Sequence, residues 1–349
     1  MHGHRQAIGS PRDYCAKLLI VNINLKNREV ADGRKQRPTV AFVVPCYNEH
    51  LVLRQSMPMV LEALNEMEKA GIASADSFVL CVDDGSSDDT WQIIAALHRA
   101  NPKLKGIRLS HNRGQQNALF AGLMTARDMA DCAITIDADL QDSLEAAAEM
   151  VVLYREGYDI VYGVRASRRS DSFFKRTSAR AFYKLQNRMG LETIYDHSEF
   201  RLMSRRALDI LSEYPERNLY LRGIMPAIGL RHTTVSYDRS PRLAGETKYS
   251  FMKLVSLSVD AITSFSARPM RLIFIIGLIL LVADIGVAAW VLMSHFDGRA
   301  MSGWSSLMLS VWFLGSLILI SLGIIGEYIG KIFNEVKRRP RYSVQDSLM

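Results

Sequence analysis

The chain has 349 residues, of which 48% are hydrophobic and 23% are charged. A sequence this apolar is not disordered, and one this long is not a small scaffold held together by disulfides. Its 43 Lys and Arg residues exceed its 36 Asp and Glu residues and give a net charge of +7. That charge indicates an acidic partner, which is nucleic acid, anionic lipid or a phosphorylated substrate. The four scattered cysteines predict buried free thiols.

Residues 1–37 are polar and mixed in charge, and we expect them to be a flexible segment. From residue 38 onward, short runs rich in β-branched residues alternate with longer stretches of helical spacing. The predicted strands are 39–44, 77–82, 106–109, 132–136 and 159–162. The predicted helices are 50–70, 88–99, 115–129 and 143–156. This alternation predicts an α/β domain over residues 38–248, with a mainly parallel, Rossmann-like sheet between helices.

Polar clusters follow three predicted strands, at the sheet edge where ligands bind in such folds: 45–49, 83–90 and 137–142. In the first cluster Pro45 stiffens the turn. The cluster serves either to pack the ring of Tyr47 against a base or to cap the next helix through Asn48. In the second, Asp84 is the best placed to hydrogen-bond a base or ribose. The spacing of this cluster does not match a calcium-binding loop.

Asp137 and Asp139 form the third cluster and are separated by one residue. If the strand continues, both side chains point to the same side and can hold one hard cation, which would bridge a diphosphate. Gln141 could add a neutral oxygen ligand, and Asp142 is a candidate for the start of the next helix. No Rossmann glycine fingerprint and no P-loop motif is present, which argues against a dinucleotide enzyme and a P-loop NTPase.

Two basic segments precede the apolar last quarter of the chain. Residues 162–188 carry eight Lys or Arg against one acid and interleave them with aromatic residues. This pattern indicates an amphipathic helix that docks on anionic headgroups or captures a lipid phosphate, or else a solvated helix face. Residues 242–249 place Arg242 and Lys248 around a flexible glycine, which suits binding of phosphates.

Two apolar segments, 272–293 and 305–326, are each long enough to cross a bilayer, and only Asp284 interrupts them. They predict a two-helix transmembrane hairpin within 269–330, with two buried core helices as the alternative. Basic residues on both outer flanks predict that the α/β domain and a basic tail, 331–349, lie in the cytoplasm. Residues 249–268 suit a helix lying in the membrane interface. Glycines in the spans suggest a homo-oligomer, for which a tetramer is one possibility.

Six motifs in order resemble the family 2 glycosyltransferases of GT-A fold, and specifically the polyprenyl-phosphate glycosyltransferases. That group includes dolichol-phosphate mannose synthases and bactoprenol glucosyltransferases. The motifs are VVPCYNE (43–49), VDDGSSDDT (82–90), HNRGQQNAL (111–119), DADLQD (137–142), EFRLMSRR (199–206) and RLAGETKYS (242–250). Two residues depart from the usual pattern: Ser143 stands where Pro is common, and Glu199 where Asp or Gly is usual.

The resemblance implies an integral inner-membrane enzyme with a cytoplasmic active site. It would transfer a hexose with inversion from a nucleotide sugar, with UDP-glucose as first choice, to undecaprenyl phosphate, using Mg²⁺ or Mn²⁺. GDP-mannose, UDP-N-acetylhexosamine and an aminoarabinose donor are the alternatives. Nucleotide binding would fall to Pro45, Tyr47, Glu49, Asp84 and Asp137.

The resemblance also implies the remaining roles of the site. The metal ligands would be Asp139, Gln141 and Asp137, and the catalytic set Asp137, Asp139 and Arg201. Donor and acceptor phosphates would be bound by Arg165, Arg180, Arg201, Arg242 and Lys248.

Three other functions compete with this interpretation. A processive polysaccharide synthase usually carries a Gln-x-x-Arg-Trp motif, and no Trp of this chain follows an Arg. A catalytically inactive membrane scaffold would not need acidic clusters at every strand end. Nucleic-acid binding is disfavoured, because the excess positive charge lies beside the predicted membrane spans and no aromatic sheet motif is present.

Overall fold

The computed structural model describes Ala31 and residues 34–165, 197–216, 221–238 and 304–349, with single positions between 273 and 286. The chain divides into two compact units. The first comprises Met1–Ala181, Thr193–Lys248 and Pro340–Met349, and the second comprises Phe182–Glu192 and Tyr249–Arg339. The predicted interfacial helix, 249–268, and nearly all of the basic segment 162–188 lie outside the described residues.

The first unit contains an eight-stranded sheet in the order β7-β5-β6-β4-β1-β2-β3-β8. The strands are β1 Val40–Cys46, β2 Phe78–Asp83, β3 Leu104–Leu109, β4 Cys132–Thr135, β5 Ile160–Arg165, β6 His197–Ser204, β7 His232–Tyr237 and β8 Val344–Leu348. Strands β3, β2, β1 and β4 pair in parallel, whereas β6 runs antiparallel to both β4 and β5. The sheet is therefore mainly parallel, as predicted, with β6 and β8 inverted.

The described helices of this unit are α1 His50–Lys69, α2 Thr90–Ala100, α3 Gln115–Arg127, α4 Leu144–Arg155, α5 Arg205–Glu213 and α6 Leu221–Ala227. Residues Val40 and Phe42 of β1 belong to a core shared with α1 and α4, whereas Val43 faces α3. A Cβ at Gly122 of α3 would come within 2.5 Å of the Val43 side chain, so α3 packs unusually close to the sheet. Burial of β1 on both faces explains its uninterrupted apolar sequence.

The order of the central strands creates the crevice of the fold. From β1 the chain builds outward through β2 and β3, and it then returns to place β4 on the other side of β1. In an open parallel sheet the loops that follow the two strands at such a reversal diverge, and ligands bind between them. The crevice thus lies between the loop after β1 and the loop after β4.

The five predicted strands and four predicted helices of this unit are all present, with ends shifted by a few residues. The described cysteines, Cys46, Cys81 and Cys132, are buried free thiols, as predicted. Strands β6, β7 and β8 were not predicted. Strand β7 is half-exposed and mostly polar, and β8 is short and polar, so neither produces the apolar run on which the prediction relied.

Both ends assigned to the domain require correction. Residues 34–37 belong to the folded unit: Arg34 donates to Asp159 over 2.6 Å, and Lys35 pairs with Asp131 over 2.9 Å. The predicted tail 331–349 is not a separate segment either. A helix continues to Val336, and Val344–Leu348 pairs with β3 as the edge strand of the sheet.

The second unit contains α7, Trp304–Val336. Among the residues that the structure describes, it holds one stretch long and apolar enough to cross a membrane, Phe313–Val336, and none of that stretch is buried. At 1.5 Å per residue, 24 residues span about 36 Å, against about 30 Å of hydrocarbon. Most of the first predicted span lies outside the described residues, so the two-helix hairpin stays a prediction.

Candidate active site

The loops that follow β1 and β2 are held together by side-chain hydrogen bonds. Asn48 adopts a left-handed backbone, with φ of 54°, and its Oδ1 accepts hydrogen bonds from the Ser87 amide at 3.0 Å and hydroxyl at 3.3 Å. In return, Ser86 Oγ accepts from the Asn48 amide at 3.0 Å. Asn48 therefore joins the two loops and does not cap α1, while Tyr47 beside it stays 41% exposed.

Asp84 positions the start of α3. Its two carboxylate oxygens accept hydrogen bonds from the backbone amides of Arg113 at 2.7 Å and Gly114 at 2.8 Å. Burial raises the pKa of Asp84 despite these hydrogen bonds. The side chain is 3% exposed, so the structure assigns Asp84 to holding the 111–114 loop, and the predicted contact with a base or ribose stays a prediction.

Gly85 allows the loop after β2 to approach that same loop. Its φ is +65°, and a Cβ on this residue would lie 2.6 Å from the carbonyl carbon of His111. Any other residue would force the two backbones apart. The motifs 82–90 and 111–119 are thus packed backbone against backbone.

The Asp137–Asp142 loop does not continue β4, which ends at Thr135. The chain turns instead, and Leu140 takes a left-handed conformation with φ of 47°, which is costly for a residue with a Cβ. Since the strand does not continue, alternation along it does not determine where the side chains of Asp137 and Asp139 point. The two carboxylates are nonetheless close enough for Asp139 to act on the ionisation of Asp137.

Asp137 is surrounded by other acids. Burial and the negative charges of Asp142, Asp139 and Glu199 raise the pKa of Asp137 to about 7, and the Arg222 guanidinium opposes the shift only in part. Gln115 on α3 donates to Asp137 Oδ1 at 3.0 Å. A carboxylate that is so costly to ionise gains most from a cation at the same place.

Asp142 does not start α4. Ser143 is the N-cap, and its hydroxyl accepts from the Ala146 amide at 3.1 Å, which a Pro at this position could not do. Asp142 instead accepts a hydrogen bond from the Tyr237 hydroxyl of β7. Tyr237 of β7 pairs in register with Arg165, the last residue of β5. The Nε atom of Arg165 is buried and has no hydrogen-bond partner among the described residues.

Glu199 lies near the start of β6. Because β6 runs antiparallel to its neighbours, its start lies at the edge of the sheet where the parallel strands end, on the side of Asp137. The side chain accepts hydrogen bonds from Gln116 Nε2 at 3.0 Å and Arg222 Nε at 2.8 Å, and it also binds Arg201 Nη2. Burial alone would raise the pKa of Glu199, but Arg201, Arg222 and the hydrogen bonds lower it to about 2. Glu199 is therefore an ionised anchor and a poor general base.

Arg201 lies on β6, two residues after Glu199. It is 1% exposed and lies under Glu199, with its Nη1 at 3.4 Å from the Leu221 carbonyl oxygen. In this position the Arg201 guanidinium forms an ion pair with Glu199, and its predicted contact with a phosphate stays a prediction. Of the other predicted phosphate ligands, Arg165 lies at the end of β5, and Arg180, Arg242 and Lys248 lie outside the described residues.

The donor set of this loop fits a hard divalent cation. Among the described residues no three His, Cys, Asp or Glu side chains form a complete metal cage. Asp137 and Asp139 nevertheless offer two carboxylates, and Gln141 a neutral oxygen. Mg²⁺ and Mn²⁺ sites that act on phosphates commonly use one or two carboxylates and take further oxygens from substrate and water.

Sequence reasoning missed three side chains of the site: Gln115, Gln116 and Arg222. The two glutamines lie in the motif HNRGQQNAL, to which the sequence assigned no role. Their presence in that motif was the one signal that could have identified them. Arg222 had no local signal, because its partner Glu199 lies 23 residues away on another element.

Comparison with known proteins identifies the chain's relatives. Residues 41–211 match the family model described as glycosyl transferase family 2. An uncharacterised glycosyltransferase of Bacillus subtilis (strain 168), YkoT, is 46% identical over 90% of this chain and 94% of its own. The prophage bactoprenol glucosyl transferase homolog of Escherichia coli (strain K12) is 36% identical over 88% and 98% of the two chains. The bactoprenol glucosyl transferase of Shigella phage SfII is also 36% identical, over 88% and 98%.

Among solved structures, the mannosyltransferase PcManGT from Pyrobaculum calidifontis, in complex with GDP-Man and Mn²⁺, aligns over 90% of this chain and 96% of its own. Its TM-score is 0.42 and its sequence identity 15%.

Proposed function

Because the chain belongs to glycosyl transferase family 2 and is a glycosyltransferase, we propose that it transfers glucose from UDP-glucose to a polyprenyl phosphate, undecaprenyl phosphate. The transfer inverts the anomeric carbon and takes place at the cytoplasmic face of the inner membrane. The lipid acceptor and the glucosyl donor are suggested by relatives named bactoprenol glucosyl transferase.

One observation carries this proposal: Asp137 and Asp139 lie together in the crevice beside β1, where burial and neighbouring acids raise the pKa of Asp137 to about 7. Such a pair suits Mg²⁺ or Mn²⁺, which when bound would neutralise charge on a departing nucleoside diphosphate. Across the crevice, the exposed ring of Tyr47 is available for a base to pack against.

The acceptor requires little activation by the protein. A phosphate monoester already carries a charge of about −1.5 to −2 near neutral pH, so its oxygen is a nucleophile without a general base. Glu199, with its pKa of about 2, is unsuited to that task in any case. Catalysis would then consist of positioning the two substrates in line and neutralising their charges.

The membrane location is supported by α7 in the second unit, whose exposed apolar stretch Phe313–Val336 is long enough to cross a bilayer. We assign the first predicted span, 272–293, to the same membrane anchor, on the basis of the sequence alone. The proposed homo-oligomer likewise rests only on the glycines of the predicted spans. A polyprenyl acceptor stays in the bilayer, so an anchored enzyme meets it by lateral diffusion.

The test is transfer by the full chain in vesicles that contain undecaprenyl phosphate. The vesicles are incubated with Mn²⁺ and, in separate reactions, with UDP-glucose, GDP-mannose, UDP-N-acetylglucosamine or an aminoarabinose nucleotide. Mass spectrometry of the lipid extract should show a hexose added with UDP-glucose alone. A product with another donor would correct the sugar, and no product with any donor would refute polyprenyl glycosylation.

A further inference from the structure

We propose that the C-terminal segment, residues 341–348, positions the donor site by fixing the motif 111–119, and that Arg341 and Tyr342 are its positioning residues. The donor site is the part of the crevice where Asp137 and Asp139 would meet a cation and the diphosphate of a nucleotide sugar. The inference rests on the proposed function and deepens it.

Three consecutive residues of the C-terminal segment hold both ends of the motif. At its start, the Ser110 amide donates a hydrogen bond to the Ser343 carbonyl oxygen at 2.9 Å. At its end, the Arg341 guanidinium lies 4.3 Å from the centre of the Phe120 ring. The Tyr342 ring meets the same Phe120 ring edge to face, with 6.4 Å between the ring centres. Phe120 is buried, so these contacts fix the first turns of α3 from the side of the protein interior.

The motif between these two anchor points carries the groups that organise the site. The Arg113 and Gly114 amides bind the buried carboxylate of Asp84, and Gln115 donates to Asp137 at 3.0 Å. Hydrogen bonds weaken steeply when their distance and angle depart from the optimum. A small displacement of the start of α3 would therefore release Asp137 from Gln115.

The rest of the segment supports the loop after β2 through an arginine. Asp346 of β8 pairs in register with Arg108 of β3, and 3.9 Å separate the Arg108 Nη1 from an Asp346 carboxylate oxygen. The Arg108 Nε lies in turn 3.4 Å from one oxygen of the buried Asp83 carboxylate. The other oxygen of Asp83 accepts a hydrogen bond from the Ser86 amide at 3.0 Å. One segment therefore supports both of the motifs that pack backbone against backbone beside the crevice.

The experiment compares variants of the full chain in detergent. Arg341→Gln and Tyr342→Ala each remove one group that contacts Phe120, whereas Tyr342→Phe retains the ring. The matched controls are Arg231→Gln and Tyr158→Ala, because the Arg231 guanidinium lies over the partly buried Tyr158 ring at the same distance of 4.3 Å. These two residues precede β7 and β5, at the edge where the parallel strands begin, away from the site. Circular dichroism and thermal melting verify that each variant is folded.

Two measurements report on the donor site. The first is the binding of inorganic pyrophosphate in the presence of Mn²⁺, followed by calorimetry. Loss of one contact with Phe120 should weaken this binding by about 3- to 10-fold, whereas Tyr342→Phe and both controls should stay within about twofold of wild type. The second is hydrogen exchange, in which the amides of 111–119 should exchange faster in Tyr342→Ala and not in Tyr158→Ala.

A measurement on the wild type tests the inference even if the variants do not fold. Coupling between two sites is reciprocal, so a segment that favours ligand binding must itself be stabilised by the ligand. Addition of Mn²⁺ and pyrophosphate should therefore slow hydrogen exchange of the amides in 341–348.

The inference is overturned if Arg341→Gln and Tyr342→Ala are folded and both bind pyrophosphate within about twofold of wild type. It is also overturned if the controls are weakened equally, or if the ligands leave exchange in 341–348 unchanged. Failure of the proposed function has a different signature. There the wild type forms no glycolipid from any donor, while pyrophosphate binding and hydrogen exchange still report on the C-terminal segment.

Discussion

Gln116 of α3 and Glu199 of β6 are joined by a 3.0 Å hydrogen bond between an amide nitrogen and a carboxylate oxygen, although 83 residues separate them in the chain. The preceding residue, Gln115, makes the equivalent bond to Asp137. Two consecutive amides therefore set the distance between the loop after β4 and the start of β6. Each of these acids thus receives one hydrogen bond from a neutral amide, and Glu199 also binds the guanidiniums of Arg201 and Arg222.

Glu199→Gln should destabilise the protein by about 3 kcal/mol, because Arg201 would remain buried without its negative partner. Chemical denaturation monitored by circular dichroism measures the change, and Glu213→Gln, at an exposed position at the end of α5, is the control. The low pKa of Glu199, about 2, means that its contribution is complete above about pH 5 and is lost only as pH falls toward 2. A variant as stable as wild type at pH 7 would contradict the buried ion pair.

Asp137→Asn should stabilise the metal-free protein at pH 8 while abolishing glycosyl transfer. The folded chain keeps a proton on Asp137 up to a pKa of about 7, whereas the unfolded chain releases it near pH 4. Wild-type stability therefore falls as pH rises from about 4 to about 7, and the neutral Asn removes a loss on the order of 2–4 kcal/mol.

The measurement is the melting temperature in a chelator at pH 5 and pH 8. The advantage of Asp137→Asn should be several degrees larger at pH 8 than at pH 5. Addition of Mn²⁺ should reverse the order, because only the wild type retains both carboxylates. An advantage of equal size at the two pH values would show that Asp137 does not titrate in this range.

Gly85→Ala should cost more stability than Gly114→Ala, although both residues have positive φ, +65° and +84°. A Cβ at Gly85 would lie 2.6 Å from the His111 backbone, whereas nothing lies within 4 Å of one at Gly114. We expect about 1–2 kcal/mol for the strain alone at Gly114 and about 3 kcal/mol or more at Gly85. Urea unfolding of the two variants measures the difference, and equal losses would contradict the close packing of these loops.

The sequence predicted the centre of the sheet well for a physical reason. Strands β1, β2 and β4 are buried on both faces and read as continuous apolar runs, and the glycine and acidic clusters that follow them mark the strand ends. Strand β6 carries Glu199 and Arg201 within an alternating sequence, and edge strand β7 has polar residues on its solvated side. Such strands lack the apolar signal, and the inversion of β6 depends on pairing with strands that lie far away in sequence.

In the candidate site, too, the residues whose role depends on distant parts of the chain could not be predicted. Asp137 and Asp139 could be found from their position after a strand. Arg201 could not be distinguished from a surface arginine, because its burial results from pairing with Glu199 within the folded sheet. Arg222 and Gln116 become functional candidates only through contacts that bridge more than 20 and more than 80 residues, respectively.

The central claim is that Asp139, with Asp137, supports a cation that makes sugar transfer to a lipid phosphate possible. The most direct measurement is incorporation of radiolabelled glucose from UDP-glucose into undecaprenyl phosphate by wild type and by Asp139→Ala, with Mn²⁺ and after strict chelation. We expect the wild type to transfer glucose when Mn²⁺ is present and not after chelation. The Asp139→Ala variant should be folded and should transfer no glucose in either condition. Near-normal transfer by Asp139→Ala in the chelator would contradict it.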